Sequence, residues 1–144
     1  MTSVLYLPVF NKRRVSLEIV VEHMKILLYG YDKTIKRIKS CLEFSGAQIS
    51  LVNGGLESVL AMDDGDGISM AILDVTAIDA QKSYEHIKKT WDIPVVLILG
   101  DDESDWSDIA KLDADGYLPR DLGDIEIVAR IEAINRRVKK SIVG

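Results

Sequence analysis

Apolar residues in this chain fall into short continuous runs separated by stretches in which they recur every three or four positions. Residues 25–30 (KILLYG), 68–74 (ISMAILD) and 94–99 (PVVLIL) are such runs, each bounded by turn-forming residues. Runs of this length suit strands that are buried on both faces. Residues 48–52 (QISLV) and 116–118 (GYL) read as the second and fifth strands of the set. Pro94 can open the fourth strand but cannot sit inside it. Asp32 is a suitable N-cap for a helix with Ile35, Ile38 and Leu42 on one face, and Gly46 stops that helix. Gly54-Gly55 leads into a short helix carrying Leu56, Val59 and Leu60. Asp79 is placed to cap a third helix, with Tyr84, Ile87 and Trp91 as its apolar positions. An acidic stretch from Asp101 opens a fourth, ending near Leu112. Asp124 is placed to cap the fifth and last, with Ile127, Ile131, Ile134 and Val138 on one face.

Strand and helix alternate five times. That order predicts an α/β fold: a doubly wound, five-stranded parallel sheet with helices on both faces and right-handed crossovers. Ligand chemistry in such folds sits beyond the C-terminal ends of the strands, which singles out residues 30–32, Asp74, 99–101 and 119–121. Residues 1–23 stand outside the alternation. There VLYLPVF and VSLEIVVE flank NKRR, so a hairpin or a strand followed by a helix can form, either as an appended extension or as a dimer contact. The expected organisation is an extension over 1–23, one domain over 24–140 and a tail over 141–144.

Composition narrows the chemistry. The chain has 144 residues, 47% hydrophobic and 28% charged, as in ordinary globular domains. No apolar run is long enough to span a bilayer and nothing has the build of a signal peptide, so no membrane partner and a cytoplasmic location are expected. A net charge of −5 argues against direct nucleic-acid binding by this domain. The basic cluster Arg136, Arg137, Lys139 and Lys140 is instead assigned to the C-terminal end of a helix dipole. Cys41, the single cysteine, precludes an internal disulfide and reads as a small residue on the buried side of the first helix. His23 and His86 share no ligand spacing, so neither a zinc site nor a Ser-His-Asp triad is expected. Asp63-Asp64-Gly65-Asp66-Gly67 lacks the spacing and closing glutamate of a calcium loop and reads as a solvated turn. Asp101 to Asp105 reads as an exposed helix start. Trp106, an aromatic beside acids, is a candidate interface residue, packing against its own domain being the other reading.

The run Asp113-Ala114-Asp115-Gly116-Tyr117-Leu118 resembles the GADDYL segment of response-regulator receiver domains. Ala129-Arg130 and Arg136-Arg137 fall in register with the AR and RR pairs of that family's final helix. Residues 24–140 thus resemble a CheY-like (flavodoxin-like) receiver, most nearly those of OmpR/PhoB-type transcriptional regulators. The resemblance implies phosphoryl transfer to an aspartate at the end of the third strand, here Asp74. It also implies Mg²⁺ held by that aspartate and an acidic pair after the first strand.

Several positions depart from the pattern. Gly30 and Tyr31 stand where the acidic pair belongs, and Asp32, one place on, is either the helix cap or the edge of the site. Leu99 replaces the hydroxyl residue of the fourth strand, Arg120 the lysine, and Asp121 the proline after it. One carboxylate is a poor cage for Mg²⁺, and a planar guanidinium is not equivalent to an ammonium. We therefore expect Arg120 to pair directly with Asp74, phosphorylation to be weak or absent, no catalytic residue, and no cofactor beyond weakly held Mg²⁺.

Tyr117 matches the fifth-strand aromatic that couples phosphorylation to the signalling face in the family, or is simply a half-buried packing residue. The resemblance further implies a homodimer through the fourth helix, fifth strand and fifth helix, where Trp106, Asp115 and Arg130 would lie. Glu132 departs from that surface, because the family often has a basic residue there. A histidine kinase or another protein would be the partner. Transcription would be regulated through a DNA-binding domain, since the chain stops where that family's linker begins. Two alternatives stay open. One is a competent phosphoacceptor with a reorganised Mg²⁺ site built from Asp32, Asp74 and Asp101. The other is a flavodoxin-like enzyme or nucleotide-binding domain, against which stands the sequence YGYDKT, with no Gly-rich phosphate loop, after the first strand.

Overall fold

Side-chain alternation along short strands builds two separate apolar layers. The computed structural model describes residues 23–62, 67–100 and 113–143, with side chains to residue 138. The elements are β1 (Lys25–Tyr29), α1 (Lys33–Phe44), β2 (Gln48–Val52), α2 (Leu56–Leu60), β3 (Met70–Asp74), α3 (Ala80–Thr90), β4 (Val95–Ile98), β5 (Gly116–Leu118) and α4 (Asp124–Val143). The strands form one five-stranded sheet in the order β2-β1-β3-β4-β5, and every pairing is parallel. Residues 1–22 of the expected extension over 1–23, residues 63–66 of the acidic turn at 63–67 and the helix over 101–112, with Asp101 and Trp106, lie outside the described residues, as do the side chains of the tail.

Because successive strand residues point to opposite faces, Ile26, Leu28, Met70, Ile72, Val96 and Ile98 join Ile35, Ile38 and Leu42 of α1 and Ile127, Ile131 and Ile134 of α4. Leu27, Tyr29, Ala71, Leu73, Val95 and Leu97 pack on the other face against Val59 of α2, Tyr84 and Ile87 of α3, and Trp91. Each fully buried aliphatic side chain contributes about 1.5–3 kcal/mol, so the three central strands anchor both layers. Strand order reverses between β1 and β3. Their C-terminal ends therefore open side by side, one leading into α1 and the other ending on Asp74.

Three local expectations are corrected. Asp79 does not cap α3: its backbone is left-handed (φ 58°) and its carboxylate instead accepts from the Leu56 N–H at 3.2 Å, tying α2 to α3. Asp124 lies inside the first turn of α4. Gly123 occupies the cap place, its carbonyl accepting from Ile127 N–H at 3.0 Å and its own N–H donating to Glu126 at 3.4 Å. Cys41 is half-buried rather than enclosed, and its thiol donates to the Asp124 carbonyl at 3.2 Å. Burial, then the charge of Asp124, pushes that thiol above its ordinary pKa, so it is not an activated nucleophile. Among the described residues no helix is long and apolar enough to cross a membrane.

Ser83 on α3 is fully enclosed, and its hydroxyl finds no hydrogen-bond partner among the described residues. Removing an unsatisfied buried hydroxyl is neutral or favourable, so Ser83→Ala should raise stability by up to about 1 kcal/mol. Urea denaturation checks this, and a loss of stability of that size would mean the hydroxyl has a partner after all.

Candidate functional site at the strand ends

Asp74 shares strand parity with Met70 and Ile72, so its carboxylate leaves the sheet on the side of α1 and α4. It is 2% exposed. Two residues on, the Thr76 N–H and hydroxyl both donate to Asp74 Oδ1, at 2.9 and 2.7 Å, a local turn that Asp and Thr commonly close together. Arg120, in the turn between β5 and α4, completes the shell. Its Nη1 donates to Asp74 Oδ1 at 3.0 Å and its Nη2 to Oδ2 at 2.6 Å, a two-pronged charge-assisted pair. Nη1 also reaches the Leu99 carbonyl at 3.2 Å, and Nη2 also contacts Asp32 Oδ2.

Asp32 fills both roles left open for it. Oδ1 caps α1 by accepting from Ile35 N–H at 3.1 Å, while Oδ2 holds Arg120. Burial by itself would raise the Asp32 carboxyl, but hydrogen bonds from Arg120 and Ile35 outweigh it and hold the carboxyl below its ordinary value. Hydrogen bonding to Asp74 is the main cause that raises Arg120 further above its ordinary value, against a smaller opposing effect of burial. The guanidinium therefore stays charged. Breaking a buried pair by removing one partner costs about 3–5 kcal/mol, so the arrangement holds the strand ends as well as the charges.

Gly30 is buried, with φ +150°, and a Cβ there would fall 2.6 Å from Ile35 Cγ1 and 3.1 Å from Asp74 Cβ. Tyr31 is 61% exposed. Leu99 is buried and offers its carbonyl to Arg120 in place of a side-chain hydroxyl. Among the described residues no group of three or more His, Cys, Asp or Glu side chains could hold a metal ion.

The remaining predicted residues sit elsewhere. Tyr117, half-exposed on β5, lines an open groove with Asp115, Ile134, Arg130 and Arg137. The Asp115 carboxylate is engaged inside the domain, accepting from Val95 N–H at 2.8 Å and Lys88 Nζ at 3.3 Å, and its carbonyl accepts from Arg137 at 2.6 Å. Glu132 is buried on α4. The structure thus brings Asp32, Asp74 and Arg120 together and leaves Tyr117, Asp115 and Arg130 on a separate face. Sequence reasoning passed over Thr76, for which the Asp-x-Thr spacing was the available signal. It also passed over the steric closure at Gly30, for which no local signal exists.

With this geometry in view, the relatives can be placed. No family model matches the chain. The response regulator MprA of Mycobacterium leprae is 30% identical over 121 residues, covering 81% of this chain and 53% of that protein. The transcriptional regulatory protein CpxR of Escherichia coli K12 is 33% identical over 120 residues, covering 78% and 50%. The chain is a response-regulator receiver domain. Its fold is shared with the non-phosphorylated HemR receiver domain of Leptospira biflexa (TM-score 0.63, 18% identity, 78% of this chain and 94% of that one). A two-component response regulator of Clostridium difficile is likewise similar in fold (TM-score 0.65, 23% identity, 81% and 98%). The receiver spans about half the length of the curated relatives it matches, and its place is in two-component signalling.

Restoring an acid at the first strand end should fail sterically. Gly30→Asp is expected to destabilise the domain by about 2–3 kcal/mol, read from urea unfolding, because it forces Ile35 aside and demands a strained backbone. Asp32 yields a pH signature. A carboxyl whose pKa is depressed on folding contributes stability in full above its ordinary value of 3.8, and loses that contribution as pH falls through the lower folded value. The stability gap between wild type and Asp32→Asn should therefore be constant at neutral pH and close below that value. An equal gap at about pH 6 and about pH 2 would contradict the assignment.

Proposed function

We propose that this receiver signals mainly through protein contacts, with phosphorylation of Asp74 weak or absent. The observation that carries the reading is the two-pronged grip of Arg120 on Asp74. A carboxylate oxygen attacks a phosphoryl group only when it is free and when the incoming charge is offset by cations. Here each Asp74 oxygen already accepts from Arg120, and Oδ1 also accepts twice from Thr76. The Mg²⁺ expected of the family finds a donor set that does not fit it. Mg²⁺ requires near-octahedral oxygen ligands, whereas Gly30 brings no side chain and both carboxylates lie on one guanidinium. Arg120 stands in for the cation, and the domain rests in one conformation without phosphate or cofactor. It performs no enzymatic reaction.

The output surface is then the face formed by the helix expected over 101–112, β5 and α4, through which the receiver forms a homodimer or meets a histidine kinase or other protein. Trp106, Tyr117 and Arg130 are the side chains assigned to that contact. Asp115, already held by Val95 and Lys88, shapes the edge of the groove rather than reaching across it. The relatives include a protein named as a transcriptional regulator, which supports a role in transcription for a longer, cytoplasmic protein whose DNA contacts lie outside this domain.

Incubation with acetyl phosphate and Mg²⁺, read by intact mass with Asp74→Asn as control, decides between the readings. No mass gain at saturating donor and metal is expected. A gain of one phosphoryl group that vanishes in the control would overturn the proposal. It would instead support a phosphoacceptor whose Mg²⁺ site is built by Asp32, Asp74 and Asp101 once Arg120 withdraws.

A further inference from the structure

Arg120 can grip Asp74 only if the turn that carries it is held at the right distance from β3. That turn follows a strand of three residues and precedes α4, so little regular structure fixes it from within. What fixes it is α1. Arg37, in the middle of that helix, donates from Nη1 to Asp124 Oδ1 at 3.1 Å and from Nη2 to the Arg120 carbonyl at 3.3 Å. The Cys41 thiol, one helical turn further along, reaches the Asp124 carbonyl. From the start of the same helix, Asp32 takes the Arg120 guanidinium. One helix therefore holds Arg120 at both ends, its backbone through Arg37 and its side chain through the N-cap.

From this arrangement we infer that Arg37 is a positioning residue: it sets the reach of Arg120 and makes the exposed Arg37–Asp124 pair the point at which the buried clamp is adjusted. The inference rests on the reading of Arg120 as a built-in cation and deepens it by naming how the clamp is regulated. The side chains of Arg37 and Asp124 are 39% and 67% exposed, against 12% and 3% for Arg120 and Asp74. A partner that offers a carboxylate to Arg37 can therefore compete with Asp124 at the surface, without entering the buried site. An exposed pair of this kind contributes little to stability, so removing Arg37 should disturb the placement of Arg120 far more than the folding of the domain. A merely structural Arg37 would show the reverse.

The test uses arginine side-chain NMR on the full chain, measuring rotation of the Arg120 guanidinium about its Nε–Cζ bond alongside thermal unfolding. In wild type the two Nη groups should be distinct, because each is tied to a different acceptor. In Arg37→Ala the rotation should accelerate about tenfold, the effect of weakening one charge-assisted hydrogen bond, with the melting temperature nearly unchanged. Arg37→Lys keeps the charge but loses the fork and should fall between. Asp74→Asn, which breaks the clamp itself, gives the fast limit. If the wild-type Nη groups are already averaged, the clamp does not hold Arg120 and the reading of Arg120 as a built-in cation fails with it. If they are distinct in wild type and equally slow in both Arg37 variants, only the role given to Arg37 is overturned. Should Arg37→Ala not fold, the Arg37→Lys rate decides alone.

Discussion

A carboxylate buried at the end of a central strand needs a cation, and in this domain the cation is a side chain. Asp74 is almost wholly enclosed, and leaving it charged without a partner would cost several kcal/mol. Arg120 meets that need from a turn distant in sequence. In doing so it draws together the end of β3, the cap of α1 and, through the Leu99 carbonyl, the end of β4. The local geometry of this edge of the sheet follows from that one guanidinium having more acceptors around it than any single carboxylate supplies.

The surrounding residues conform to the clamp. Gly30 permits close approach between α1 and Asp74, in a space that a side chain would fill. Thr76 supplies two further donors, so both Asp74 carboxylate oxygens accept from protein groups. Asp32 serves the helix dipole and the guanidinium at once, which is why its carboxyl stays ionised despite partial burial. Residues 30, 99 and 120 converge on one place: Gly30 lies against Asp74, and Arg120 joins the Asp74 carboxylate to the Leu99 carbonyl.

On the other side of β5 the chemistry is different. Asp115 is tied to Val95 and Lys88, and the charged residues along the groove, Arg130 and Arg137, lie beside an aromatic and an aliphatic side chain.

The amino-acid sequence by itself determined the order of elements and the parallel sheet, because apolar runs of strand length and helical spacing are local properties set by side-chain burial. The bounds of β2 and β5 and the buried face of α1 were legible residue by residue, although only Val52 of the edge strand β2 is buried. The identity of Asp74, Asp32 and Arg120 as neighbours was legible too, since every strand of a doubly wound sheet delivers its last residue to the same edge. Capping was not. Asp79 and Asp124 have the composition of N-caps, yet their carboxylates turn to Leu56 and Arg37, partners that only packing of one helix beside another brings near. The closure at Gly30, the second role of Asp32 and the hold of Arg37 on the Arg120 turn were likewise decided by tertiary structure. The contacts of Arg37 and Asp32 with Arg120 join residues 83 and 88 positions apart, the closure at Gly30 involves Asp74 as well as nearby Ile35, and no pattern along the chain encodes which of several competing acceptors a long side chain will choose.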